Sequence, residues 1–370
     1  MIFSEGRRTD EKGTAMSIAA DERRTRILEI VRKLGTVRVT DLAARLDLPA
    51  VTVRRDVAAL ADGGLLRRAH GSVSVPEERF GVPVDGRTLG LVVPAVSHTV
   101  SQYFDEVIAG ARAAAADAGA HLVLGISSYD SYDPRADRAQ AEQLLRSGAE
   151  GLMLTPNWTS TDNPQDWRWL HELPVPTVLV ERRAAAGTPA AELDSVSSDH
   201  HHGVLLALRH LAALGHGTVV LAARRDTWTA MKVRSGYAEA CESLELTPQP
   251  VIDIDDPATA PELVSRKLAE GAEKGVRAAL VHNDQDAIQL PALLRARGLS
   301  VPEDLALISY DDVFAALGAP PLTAVAPPKR AVGAAAVDLL LRRLRHGASL
   351  PVHRVELLPE LKVRASCGGD

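Results

Sequence analysis

The chain has 370 residues, is 46% hydrophobic and 24% charged, and carries a formal net charge of -6, the profile of an ordinary soluble globular protein long enough for more than one core. No apolar run reaches the roughly 20 residues of a membrane span, and the first residues lack the apolar core of a secretory signal. Two cysteines, Cys241 and Cys367, supply neither a disulfide framework nor a cysteine metal cluster. The expectation is a cytoplasmic protein with no membrane partner, no cofactor and no metal.

The charge is unevenly spread. Ser17–Val75 holds eleven Arg and Lys against seven Asp and Glu, residues 1–16 are balanced, and the chain from Pro76 onward is acidic. A basic head on an acidic body is the charge arrangement of a protein that meets DNA through its head.

Residues 1–16 are polar and aperiodic and are expected to be a disordered leader, with Met16 as a second candidate start. Ile27, Ile30, Val31 and Leu34 fall at helical spacing and predict a helix over Asp21–Leu34, stopped by Gly35. Thr40 is the expected N-cap of a second short helix carrying Leu42 and Leu46. Asp47-Leu48-Pro49 reads as a tight turn. A third helix follows with Val53, Val57 and Leu60 on one face, stopped by Gly63-Gly64. Strands are predicted at Leu65–Arg68 and Ser72–Val75, joined through His70-Gly71. Residues 17–75 thus form a helix-turn-helix head with a hairpin wing, and the Pro- and Gly-rich stretch 76–87 reads as a linker.

From residue 88 to 370 short apolar runs alternate with helical stretches. Expected strands are Leu89–Val93, Leu122–Ile126, Leu152–Leu154 and Thr177–Val180, then Val219–Ala222, Val251–Ile254, Ala279–Val281 and Leu305–Ile308. Expected helices include Tyr103–Ala118, Asp137–Arg146 and Val204–Leu214. This rhythm predicts an α/β fold with parallel sheets flanked by helices, and two runs of about four strands fit two lobes.

Two constellations carry chemistry. With Val53, Val57 and Leu60 facing the core, Thr52, Arg54 and Arg55 point outward with two small alanines, so the arginines can reach guanine edges or phosphates. Arg67, Arg68 and His70 add donors on the wing. In the body, parallel sheets bind ligands beyond the carboxyl ends of their strands. That rule selects Ser97, His98, Ser127, Ser128, Asn157, Glu181 and Arg182 from the first lobe, and Arg225, Trp228, Arg234, Asn283 and Asp311 from the second, with Asp199 near the crossing. Carboxylates, amides and arginine provide the directional bonds that sugar hydroxyls need. A tryptophan, Trp158 or Trp228, can stack on a sugar face or simply fill core.

Other signals are weaker. His200-His201-His202 point in different directions on a helix and so make a poor metal site. Gly215-His216-Gly217 follows a helix rather than a strand, and no Walker A pattern occurs. Asp253, Asp255 and Asp256 read as a solvated loop. No nucleophile elbow or metal motif organises the Ser, His and Asp present, so an enzyme is not expected.

The head resembles a DeoR-family winged helix. The matching residues are Arg23-Arg24, Ile27-Leu28, Asp41-Leu42-Ala43, Thr52-Val53-Arg54-Arg55-Asp56, Leu60, Gly64-Leu65-Leu66 and His70-Gly71. Pro49 departs from the family, which has a capping Ser there. The body is similar to the LacI/GalR regulators, whose effector domain is periplasmic-binding-protein-like. The resemblance rests on Leu89-Gly90-Leu91-Val92-Val93-Pro94, Gly151-Leu152-Met153-Leu154, His210-Leu211 with Leu214-Gly215-His216, and Arg234-Ser235-Gly236-Tyr237. It continues through Asn283-Asp284, Val301-Pro302-Glu303-Asp304, Tyr310-Asp311-Asp312, Pro320-Pro321-Leu322-Thr323 and Leu358-Pro359-Glu360-Leu361. The minor-groove hinge helix of that family has no counterpart between Gly71 and Leu89.

The resemblance implies a transcriptional regulator, commonly a repressor, that binds double-stranded operator DNA as a homodimer and carries a small carbohydrate effector between its lobes. Positions Asp199, Arg234, Asn283 and Asp311 match places that commonly bind effector, and the helix around Tyr103–Ala118 matches the dimer surface. The alternative is a solute-binding protein for sugar uptake, which shares the body but has no use for a basic winged helix.

Overall fold

A computed structural model describes residues 23–24, 26–28, 30–31, 36–46, 48–62, 66–69, 72–74, 86–96, 99–100, 102–128, 134–158, 164–225, 227–256 and 259–369. The leader 1–16, Gly35, Gly63-Gly64, His70-Gly71 and linker residues 76–85 lie outside them. The chain divides into two compact units, Met1–Pro83 and Val84–Asp370.

In the first unit, residues 23–24, 26–28 and 30–31 are helical. Strand β1 (Thr36–Arg38), helices Val39–Leu46 and Ala50–Asp62, and strands β2 (Arg67–Ala69) and β3 (Ser72–Ser74) follow. The core is built as the periodicity requires: Ile27, Val31, Leu42, Val53, Val57 and Leu60 are buried together with Leu66 and Val73. Two expectations are corrected. The second helix begins at Val39, so Thr40 lies inside its first turn and is not the N-cap. The wing has a third strand, because Thr36–Arg38 pairs antiparallel with Ser72–Ser74.

The second unit is two α/β lobes. In the first lobe, β4 (Thr88–Val96) pairs in parallel with β6 (His121–Ser128) and β7 (Gly151–Leu154). The sheet then continues through β8 (Thr177–Val180) and β9 (Asp194–Ser198) to β16 (Arg354–Leu357). In the second lobe, β10 (Thr218–Arg224) lies between β12 (Ile252–Ile254) and β13 (Ala278–His282). Beyond β13 come β14 (Ala306–Tyr310), β15 (Thr323–Ala326) and the antiparallel β17 (Glu360–Lys362). Alternation along each strand feeds two cores, as a sheet covered on both faces demands. Leu89, Leu91 and Val93 pack under helices Gln102–Asp117 and Lys329–His346, whereas Val92 faces Leu144 and Trp167. Val219, Leu221 and Ala223 likewise part from Val220 and Ala222.

The chain passes between lobes at Ser198–His200, Ala326–Lys329 and Leu357–Glu360. Sequence patterning predicts four strands per lobe; among the described residues each sheet has seven, the two short ones being β5 (Thr99–Val100), antiparallel to β4, and β11 (Thr247–Pro248), parallel to β10. β9 is missed because it reads Asp-Ser-Val-Ser-Ser, yet all five residues are buried. Its Asp194 is gripped by Arg343 through Nε and Nη2, each at 2.8 Å, and by the His353 N–H at 2.7 Å. Buried polar groups that are paired replace the apolar signal.

Candidate nucleic-acid interface and ligand cleft

The helix Ala50–Asp62 starts on the Pro49 carbonyl, which accepts the Thr52 and Val53 N–H groups at 2.9 and 3.2 Å. Proline lacks a side-chain cap but needs no N–H of its own at a helix entry. Arg54 and Arg55 are exposed and Thr52 is half-buried. Arg67 and Arg68 lie on β2, and His70 is outside the described residues. The neighbouring Asp56 turns inward, 1% exposed, and accepts Arg23 Nε at 2.5 Å and Nη2 at 3.2 Å, with Arg24 Nε 3.5 Å away. Asp56 therefore clamps the exposed-arginine helix to the first helix. The sequence contained the pair as Arg23-Arg24 and Asp56, but nothing in helical spacing links residues 33 apart.

In the body, Asn157, Glu181, Asp199, Arg225, Asn283 and Asp311 follow strand ends, Ser127 and Ser128 are the last two residues of β6, and Trp228 and Arg234 lie on helix Trp228–Ser243. Ser97 and His98 fall outside the described residues. In the first lobe Asp137, at the start of helix Pro134–Arg146, ties two strand ends together: it accepts the Asn157 N–H at 2.9 Å and bonds the Ser127 hydroxyl. Burial pushes the Asp137 carboxyl up, against these bonds and the charge of Arg182. Arg182 is buried and donates to the carbonyls of Pro156, at 2.7 Å, and Glu181, at 2.8 Å.

Glu181 is buried with φ of 52°. It accepts Tyr103 Oη at 2.6 Å, the Ser198 N–H at 3.0 Å and Ser198 Oγ at 2.9 Å. His200 stands 3.8 Å from it and bonds the Tyr310 hydroxyl at 3.1 Å. Burial, chiefly, pushes the His200 imidazole down to about 3, so it is neutral at physiological pH.

In the second lobe Asp311, 6% exposed and with φ of 90°, hydrogen-bonds the Asn283 side chain. Burial and the facing Glu181 push its carboxyl up to about 6, against the attraction of Lys329, whose Nζ donates to the Asp311 carbonyl. Adjacent Asp284 has a different task, accepting the N–H groups of Val313, Phe314 and Ala315. Tyr103, Ser198, His200, Tyr310 and Lys329 were not expected at the cleft; single residues at helix starts and strand ends leave no periodic trace.

Arg234 and Asp311 are not an ion pair. Arg234 bonds Asp253 at 2.6 Å and the carbonyls of Ala223 and Arg224, and Arg225 reaches the same Asp253 at 3.3 Å. Asp253 is thus the middle residue of β12 and a structural partner, not a solvated loop residue. Asp199 caps helix His200–Ala213 by accepting the His202 N–H at 2.9 Å. His200 and His201 face separate partners, His201 bonding Glu239 at 2.7 Å. Trp228 opens helix Trp228–Ser243 and stands 6.1 Å from Trp158 of the other lobe, with Lys232 Nζ 4.8 Å from its ring centre. Trp158 in turn contacts Trp167, which stands 6.5 Å from Trp169, and these three are buried in the first-lobe core, so Trp228 meets the edge of that core from the second lobe. Among the described residues no helix is long and apolar enough to cross a membrane.

Residues 23–79 match the DeoR-like helix-turn-helix domain, and residues 208–367 match the periplasmic binding protein-like domain. The chain is similar to the arabinose metabolism transcriptional repressor of Geobacillus stearothermophilus, 27% identical over 88% of this chain and 89% of that one. It is 30% identical to an HTH-type transcriptional regulator of Streptomyces limosus over 75% of this chain and 78% of the relative. A crystal structure of the lac repressor dimer bound to operator and an anti-inducer superposes with a TM-score of 0.64 at 21% identity, covering 77% of this chain and 95% of that one. By its relatives and its matching DeoR-like head the protein is a DNA-binding transcriptional regulator. It belongs to the LacI/GalR family, with a DeoR-type head in place of that family's usual one.

Proposed function

We propose that the chain represses transcription as a homodimer on an inverted-repeat operator, and that a small neutral sugar held between its lobes sets operator affinity. Thr52, Arg54 and Arg55 face the groove from the third helix, with Arg67, Arg68 and His70 on the wing. Two-fold symmetry doubles a limited interface. The effector meets Ser97, His98, Ser127, Asn157, Glu181 and Asp199 from the first lobe and crossing, and Trp228, Arg234, Asn283 and Asp311 from the second.

The observation that carries the ligand class is the set of buried acceptors. Oδ1 of Asp137, Oδ1 of Asn157, Oγ1 of Thr155 and Oδ1 of Asp311 are buried with no hydrogen-bond partner among the described residues. Buried polar atoms are normally satisfied, and acceptor-rich walls suit a ligand rich in hydroxyl donors. The relative named for arabinose metabolism supports the same class. A solute-binding role leaves the exposed Arg54 and Arg55 without a purpose.

A thermal-shift screen of neutral, phosphorylated and nucleoside-linked sugars, beginning with arabinose, tests the reading. A neutral sugar should raise the melting temperature of the body by mass action. Stabilisation by phosphorylated ligands alone would contradict the ligand class.

A further inference from the structure

Among the described residues of the head, one large apolar side chain is turned out to solvent: Val51, 73% exposed. It occupies the first turn of helix Ala50–Asp62, just past the Pro49 carbonyl that starts that helix. Residues three and four apart share a helix face, so Val51 stands one turn ahead of the exposed Arg54 and Arg55. The head core is closed by Val53, Val57 and Leu60, and Val51 takes no part in it. No acidic residue stands in this first turn to oppose a phosphate backbone. An apolar, β-branched surface is thus carried at the end of the helix that enters a groove first, beside two cations matched to DNA.

In the major groove one base displays an apolar group, the 5-methyl of thymine, and apolar side chains pair with it. We propose that Val51 reads a thymine 5-methyl group in each operator half-site, adding specificity to the affinity given by Arg54 and Arg55. The proposal rests on the reading of the head as the DNA-binding unit. Because Val51 is outside the core, its truncation leaves the head folded.

The test uses the full chain. Duplexes are selected from a random-sequence library, and each dT of the winning sequence is replaced in turn by deoxyuridine, which removes only the methyl group. At one position per half-site, deoxyuridine should weaken wild-type binding roughly fourfold, about 0.8 kcal/mol for one methyl-sized apolar group. Val51→Ala should bind the dT and deoxyuridine duplexes alike at that position while keeping its response to the bases read by the arginines. If no methyl matters to the wild type, or Val51→Ala keeps the full deoxyuridine penalty, the assignment of Val51 is overturned and the head reading stands. If the wild type enriches no sequence, the head reading itself fails.

Discussion

Replacing Asp311 by Asn should stabilise the ligand-free body while destroying its ligand site. The carboxyl is raised from 3.8 to about 6, and each pH unit corresponds to about 1.36 kcal/mol. The ionised form therefore costs the folded state up to about 3 kcal/mol near pH 7.5, a figure already net of the attraction to Lys329, and Asn should recover roughly 1–3 kcal/mol of it. The sign follows from proton uptake: the folded state holds this proton more tightly than the unfolded chain. Its penalty is full above pH 6, shrinks as pH falls from about 6 towards 3.8, and vanishes below. Asn tolerates the positive φ of this position. All four tryptophans lie in the body, so urea unfolding followed by their fluorescence reports on it. Asp311→Asn should be more stable than wild type at pH 7.5, with a smaller gap at pH 5. A variant less stable at pH 7.5, or a gap independent of pH, would refute the reasoning.

Three further changes separate the parts of the molecule. Arg54→Ala with Arg55→Ala should cost roughly 1–3 kcal/mol of operator binding per lost base contact, and should flatten the salt dependence where a phosphate contact goes; unchanged anisotropy titrations would contradict it. Asp56→Asn should destabilise the head by about 1–3 kcal/mol by weakening the buried clamp to Arg23, read as faster hydrogen exchange of head amides with the body unaffected. Gly333→Ala would place Cβ 2.0 Å from the Val107 carbonyl oxygen, a backbone atom that cannot swing aside. It should lower body stability by roughly 1–3 kcal/mol or more, whereas Gly217→Ala, with nothing within 4 Å, should do little; equal melting temperatures for the pair would count against the close helix packing.

The parts legible in the sequence are those with periodicity. Val53, Val57 and Leu60 announce the third helix, and runs such as Leu152–Leu154 and Thr177–Val180 announce buried strands, since burial on both faces leaves no alternation to blur them. Strand ends then point to Glu181, Asn283 and Asp311. The illegible parts are held by polar partners far apart in sequence: β9 through Asp194 and Arg343, the head through Asp56 and Arg23, and the second-lobe rim through Arg234 and Asp253. An arginine in a suitable motif carries no sign of which carboxylate it will meet. For Arg234, on helix Trp228–Ser243, the partner is on the edge strand β12, which holds its guanidinium at the rim but gives no direct link to Asp311.

Control of DNA binding from the cleft is tested most directly by calorimetry. The sugar found by thermal shift is titrated into the full chain alone and into the chain saturated with its selected operator, and operator affinity is measured with and without that sugar. A ligand shifts an equilibrium only through its differential affinity for the two states, and the coupling must be reciprocal. The expected result is a sugar affinity changed by operator and an operator affinity changed by sugar, by the same factor. Equal sugar affinity with and without operator would contradict regulation through the cleft.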